Sequence, residues 1–240
     1  MSKLLAQTRV ELSITARRGE SLLLTIAIPV LLLVFFSLVD VLPTGTDHGV
    51  DFLAPGILAL AVMSTAMVGL GIATGFERSY GVLKRLGATP LGRPRLIAAK
   101  VVSVLATELV QFAVLIAVAF ALGWDAGTGW PAAVGAVLLG TVAFAGVGLV
   151  MAGRLRGEVN LAAANGLYLV LLLMGGMVIP LAKLPSGLRG VARALPSGAL
   201  SDVLHGALTK GASVPGRAWV VLSVWAVIAP GAAATTFRWE

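Results

Sequence analysis

Cysteine is absent from the chain, which excludes disulfides, thiolate metal sites and a cysteine nucleophile. Histidine is nearly absent too: His48 and His205 stand far apart, neither within an acidic-histidine motif, which argues against a metal centre. Charge is scarce. Asp, Glu, Lys and Arg make up 12% of the 240 residues, half of the roughly 25% usual in a soluble domain. With a mean hydropathy of +0.97, that scarcity places the chain in a bilayer. The phosphate loop GxxxxGK[ST] is missing, so ATP is not bound in the P-loop manner. GxSxG, HExxH and paired intramembrane aspartates are missing as well, which argues against an intramembrane enzyme acting on lipid. The length admits one membrane domain, 1–240, with no room for a large soluble catalytic domain.

What fills the chain is apolar residues, 58% of the total. About twenty of them in a row cross a bilayer as a helix. Six segments qualify, at about 21–41, 53–75, 96–122, 131–152, 159–181 and 217–236. Lipid offers no partner for backbone groups, so the spans must be helices or a closed barrel, and no period-two alternation supports a barrel. The expected fold is an all-α polytopic membrane protein. The run after Arg17 and Arg18 continues to Val41 without a small-x-small cleavage site, and reads as an uncleaved first span.

The net charge of +7 reflects topology rather than nucleic-acid binding, because the basic residues flank the spans. Thirteen of them fall on one side: Lys3, Arg9, Arg17 and Arg18; Arg78, Lys84, Arg85, Arg93, Arg95 and Lys100; Arg154 and Arg156; and Arg238. The connections PTGTDHGVD and GWDAGTGW, on the other side, carry only acids. Both termini are therefore expected in the cytoplasm. The connection 182–216, with Arg217, places five basic residues outside, so it is no ordinary loop. Leu184, Leu188, Val191 and Leu195 recur at helical spacing until Pro196, and Ser197 is a possible cap for a stretch with Leu200, Val203, Leu204, Ala207 and Leu208 on one face. Two short outer re-entrant or amphipathic helices are expected over about 184–210. Leu4, Leu5, Val10, Leu12 and Ile14 give residues 3–18 an apolar face, as in an interfacial helix.

A few polar residues lie within the spans. Glu108 sits near the middle of the third, with Gln111 on its face. An ionisable group at that depth costs about 2.5–3.5 kcal/mol on insertion scales. Two readings follow: a polar cavity in which Glu108 meets a cationic substrate or carries a proton, or interhelical glue with Gln111 and Thr107. The fifth span carries Asn160, Asn165 and Tyr168, the last two on one face, placed to line a path or to pack. Pro29, Gly175, Gly176, Pro180 and Pro230 are candidate kinks, and Ala136/Gly140 and Gly148/Ala152 are small-xxx-small pairs.

Between the second and third spans lies FERSYGVLKRLGATPLGRPRLIAAK, residues 76–100, with six basic residues. Phe76, Tyr80 and Leu83 fall at i, i+4 and i+7, and Glu77 stands where an acid favours a helix N-terminus. Gly87 and Thr89-Pro90 close the segment. A helix over about 77–87 is expected, either a generic basic loop element or a two-faced plug for another protein.

Phe76 to Leu86, followed by Ala88-Thr89-Pro90-Leu91, resembles the cytoplasmic motif of type-2 ATP-binding-cassette (ABC) exporter permeases, approximately F-[DE]-R-E-x-G-T-L-x-R-L-x-A-T-P-L. Ile179-Pro180, Leu184-Pro185, Leu195-Pro196 and Ser201-Asp202 are similar to that family's outer connection, and Phe237-Arg238-Trp239-Glu240 to tails of actinobacterial members. The resemblance implies a plasma-membrane drug-efflux-like permease of a bacterium. It implies two permease copies, a homodimer, paired with two ATPase subunits that hold the ATP and magnesium. The permease itself would carry no cofactor and move an amphipathic drug-like or lipid-like molecule outward. The basic segment would be a coupling helix docked on the ATPase, with Glu77, Arg78, Gly81, Leu83, Lys84, Arg85, Leu86, Thr89 and Pro90 at the contact. Ser79 and Val82 depart from the motif, where Glu and Thr are usual. The first, second and fifth spans would face the translocation path, for which Glu108, Gln111, Asn165 and Tyr168 are the polar candidates. The rival reading is an ion-gradient-driven transporter with Glu108 as proton carrier.

Overall fold

The computed structural model describes residues 7–11, 13, 19–39, 49–87 and 92–236. Residues 7–11 and 13 of the expected interfacial helix are helical; the rest of 3–18 lies outside the described residues, as do Thr89 and Pro90. Among the described residues the regular structure is helical, with one isolated β-bridge. The protein is an all-α polytopic membrane protein. In chain order the helices are α1 (Gly19–Leu38), α2 (Gly49–Ser79), α3 (Val82–Gly87), α4 (Arg93–Ala121), α5 (Trp130–Arg154), α6 (Gly157–Met174), α7 (Ser186–Ala194), α8 (Pro196–Leu208) and α9 (Gly216–Thr236). Five of them (α2, α4 from Arg95, α5, α6 and α9) are long and apolar enough to cross a membrane, and Leu23–Leu38 of α1 is a shorter apolar helix.

Helix starts follow local chemistry. Pro94, Pro131 and Pro196 each stand in a first turn, where the missing N–H breaks no hydrogen bond. Pro196 thus opens α8, and Ser197 does not cap it. Ser197 lies inside the first turn, and its hydroxyl has no partner among the described residues. At the other end of α6, Gly175 follows Met174, and Gly176 takes φ +70°, a conformation that ends the helix short of Pro180.

Packing centres on α2 and α5. Lipid is as apolar as the side chains, so close van der Waals approach must hold the helices together. A Cβ on Gly148 would fall 2.5 Å from the Met67 carbonyl oxygen, and one on Gly146 2.5 Å from Ala229 C and Pro230 N. Glycine therefore lets α5 touch the backbones of both α2 and α9. The Ala136/Gly140 pair faces α8 and α2, with Leu200 and Val62 over Gly140.

Polar contacts separate the two ends of the bundle. At one end, Asp51 accepts from the Asp125 amide (2.9 Å), Lys210 pairs with Asp125, and the α8 carbonyls of Ala207 and Leu208 accept from Gly129 and Gly127. Here α8 is tucked into the bundle, with Pro196–Ser201, Val203, Leu204, Ala207 and Leu208 buried. His205 Nε2 lies 3.0 Å from Phe52 O and Nδ1 2.8 Å from Ser201 O, tying α8 to α2. At the opposite end, Lys100 meets Glu11 and Glu77, Arg78 donates to Ala152 O, and the Gly157 amide donates to Ser79 Oγ.

Removing the His205 ring from water pushes its pKa below the ordinary histidine value. The unfolded chain then takes up the proton first, so stability is complete above about pH 6.5 and falls as the pH drops below it. Thermal unfolding from pH 7.5 to 5 is expected to show this loss. His205→Gln should be less stable at pH 7.5, and the gap from wild type should narrow towards pH 5.

Candidate functional site

The basic segment is not a single helix. α2 runs on to Ser79, Tyr80 and Gly81 form a turn with Gly81 at φ +71°, and α3 begins only at Val82. Left-handed backbone of this kind is strained for residues with a Cβ, so Gly81 is what splits the segment. The Phe76–Tyr80–Leu83 stripe is divided accordingly. Phe76 and Tyr80 stack at 6.0 Å between ring centroids, Tyr80 stays 73% exposed, and Leu83 is fully buried against the protein's own core.

Glu77 therefore stands near the C-terminal end of α2 rather than at a helix N-terminus. It is held there by Lys100 at 2.7 Å. Lys100, only 2% exposed, reaches Glu11 of the N-terminal helix at 3.3 Å as well. A lysine in that position needs acids on more than one side, because an unpaired buried charge is very costly. The Arg78 guanidinium donates to Ala152 O at 3.0 Å, near the end of α5. Ser79 Oγ donates to Gly75 O and accepts from Gly157 N at 3.2 Å, binding α2 to the start of α6. A Cβ on Gly157 would lie 2.8 Å from that hydroxyl, so the junction is built for a small side chain on each side. Of the expected docking residues, Lys84 and Arg85 are exposed and Leu86 is partly buried. Glu77, Arg78 and Leu83 are engaged within the chain.

The four polar candidates in the spans do not share one site. Gln111 is fully buried in a junction of three helices. It accepts from Thr65 Oγ1 of α2 at 3.0 Å and donates to Thr25 O of α1 at 2.8 Å. Glu108, 1% exposed, faces α5, where Thr141 Oγ1 donates to its Oε2 at 2.6 Å. Thr107 hydrogen-bonds its own helix at Ser103 O. Asn160 is fully buried and donates to Gly71 O at 2.8 Å. Asn165 and Tyr168 lie elsewhere again, on an open groove.

That groove has a volume of about 600 Å³ and lies between α1, α2 and α6. Leu24, Thr25, Ile28 and Pro29 form one wall, Ser64, Val68, Gly69 and Ile72 the floor, and Asn165 and Tyr168 the other wall. Phe76 and Tyr80 line its end beside the basic segment. The lining is apolar with hydroxyl, amide and phenol groups spaced along it, and among the described residues it holds no Asp, Glu, Lys or Arg. Such a surface suits an amphipathic molecule with hydrogen-bonding groups.

The floor has a feature that periodicity did not reveal. Residues Ser64–Gly69 form a π-helical stretch inside α2. Wider π turns are rare and often mark functional positions. Here the stretch turns Ser64, Val68 and Gly69 to the groove while Thr65 reaches Gln111.

A family model described as ABC-2 type transporter matches residues 3–207. The chain belongs to that family. No curated protein matches the chain. The matched stretch runs from the N-terminal segment through almost all of α8, and so includes the groove, the basic segment and the Lys100 cluster. As an ABC-2 membrane domain the chain is the permease component of an ABC transporter and a multi-pass membrane protein.

Proposed function

We propose that this ABC-2 permease moves an amphipathic drug-like or lipid-like molecule outward through the groove between α1, α2 and α6. A separate ATPase subunit would drive it, and a second copy of the chain would complete the path. The observation that carries this reading is the continuity of the groove with the basic segment: Phe76 and Tyr80 line the groove, and Lys84 and Arg85 follow one turn later on the surface. The excess of basic residues at this end supports a cytoplasmic location for it and for both termini.

The mechanism proposed is a population shift. The ATPase grips the exposed side of α3, and Leu83, buried on the other side, anchors α3 to the permease core. Displacement of α3 is passed to α2 across the Tyr80–Gly81 turn. Glu77–Lys100 carries it to α4, and Ser79–Gly157 to α6. Two of the three groove walls, α2 and α6, are thus mechanically joined to the docking element.

Arg85→Glu is expected to weaken ATPase association about tenfold or more, the equivalent of roughly 1.4 kcal/mol. Arg85 is exposed, so the permease should keep its thermal stability. Co-purification of the ATPase with wild-type and variant permease in mild detergent checks this; equal recovery would remove α3 from the interface.

A further inference from the structure

A second cavity lies on another side of the molecule, between α4, α5 and α8 with Leu58 of α2 at its back. Its volume is about 440 Å³, within the range of small-molecule pockets. Its walls are aliphatic and aromatic, Phe112, Ile116, Trp130, Val134 and Leu204 among them, and Glu108 is the one ionisable side chain lining it among the described residues.

Glu108 is incompletely satisfied there. Thr141 Oγ1 lies 2.6 Å from Oε2, but the same hydroxyl is 2.9 Å from Val137 O. A hydroxyl has one proton to share between these acceptors. No group among the described residues hydrogen-bonds Oε1, although Glu108 is only 1% exposed. Buried polar atoms are nearly always paired, and an orphan on a side chain that lines an apolar cavity points to a missing partner. Gln111, one turn away, supplies none, because both its amide atoms are committed to α1 and α2.

We infer that this cavity is a binding site for a membrane-dissolved hydrophobic amine, its N–H donating to Glu108 Oε1 and its apolar body lying among Phe112, Ile116 and Val134. The charge complementarity selects an amine over a neutral hydrocarbon, and the apolar walls select it over a hydrophilic cation. The site is separate from the α1–α2–α6 groove and does not depend on the transport reading. Of the described residues lining the groove, none lines this cavity.

The test uses the full chain in lipid nanodiscs and a dodecylamine carrying a diazirine on its alkyl chain. Dodecane with the same diazirine serves as the neutral control. Labelled positions are mapped by mass spectrometry, with the exposed Val227 and Ile228 of α9 reporting background partition into lipid. Saturable labelling of α4 and α5 by the amine is expected, above the α9 level and competed by unlabelled dodecylamine. Glu108→Gln should lower it about tenfold, the scale of one charge-assisted hydrogen bond. Ala113→Trp, which fills the cavity from an exposed position and leaves Glu108 in place, should lower it equally. If Glu108→Gln does not fold, Ala113→Trp decides alone. Equal labelling by the amine and the alkane, or labelling indifferent to Ala113→Trp, would overturn the assignment.

Discussion

Lys100→Ala is expected to destabilise the permease by about 3–5 kcal/mol, a fall in melting temperature of roughly 10 °C. Lys100 is 2% exposed and sits between Glu77 at 2.7 Å and Glu11 at 3.3 Å. Removing it takes from Glu77 and Glu11, both largely buried, the cation that they share. Breaking one partner of a buried ion pair costs far more than the pair contributes when intact. Neutralising the whole cluster is expected to behave differently. Lys100→Met combined with Glu11→Gln and Glu77→Gln should recover most of the lost stability, because the three charges that meet there are removed together. Thermal unfolding of the three proteins in nanodiscs measures both effects. The triple variant then isolates function: stability returns, but the charged link between α2 and α4 does not, so transport is expected to stay impaired.

Gly69→Phe is expected to lower transport at least tenfold while leaving the fold intact, a loss of about 1.4 kcal/mol or more in transport efficiency. Gly69 lies on the floor of the groove, at the end of the π-helical stretch. A Cβ there meets only Ser64 O, at 3.6 Å, an ordinary van der Waals contact. The ring therefore extends into open space and occupies the groove between Thr25 and Asn165 rather than straining α2. Efflux of an amphiphilic dye from proteoliposomes, with thermal stability measured in parallel, separates a blocked path from a damaged protein. Undiminished efflux in a stably folded Gly69→Phe protein would remove the groove from the path.

Composition and run length were enough to read an all-α membrane protein, because a scarcity of charge and long apolar runs leave a bilayer chain few alternatives. The positions of the helix ends were less legible. Ser197 has a capping side chain, but Pro196 already suits the first helical position, and the helix begins there. Gly81 was visible as part of a motif, yet its positive φ, which divides the basic segment, depends on the chain turning back at Tyr80. Lys100 looked like one more topological charge. Its burial requires acids from sequence positions 89 and 23 residues away, and such pairings have no periodic signature. The same holds for Glu108, whose partner Thr141 stands 33 residues further on in another helix, and not at Gln111 or Thr107. The π stretch left no mark in the apolar pattern, since residues Ser64–Gly69 differ little in composition from the rest of α2. Asn165 and Tyr168 were legible as a polar pair on one face, because helical spacing alone brings them together.

Reconstitution into proteoliposomes with and without the ATPase subunit separates an ATP-driven permease from a proton-driven carrier. An amphiphilic dye is followed while either ATP or a proton gradient is supplied. Movement is expected only when the ATPase and ATP are both present, and it should persist in Glu108→Gln. Gradient-driven movement by the permease alone, abolished by Glu108→Gln and indifferent to ATP, would contradict the exporter assignment.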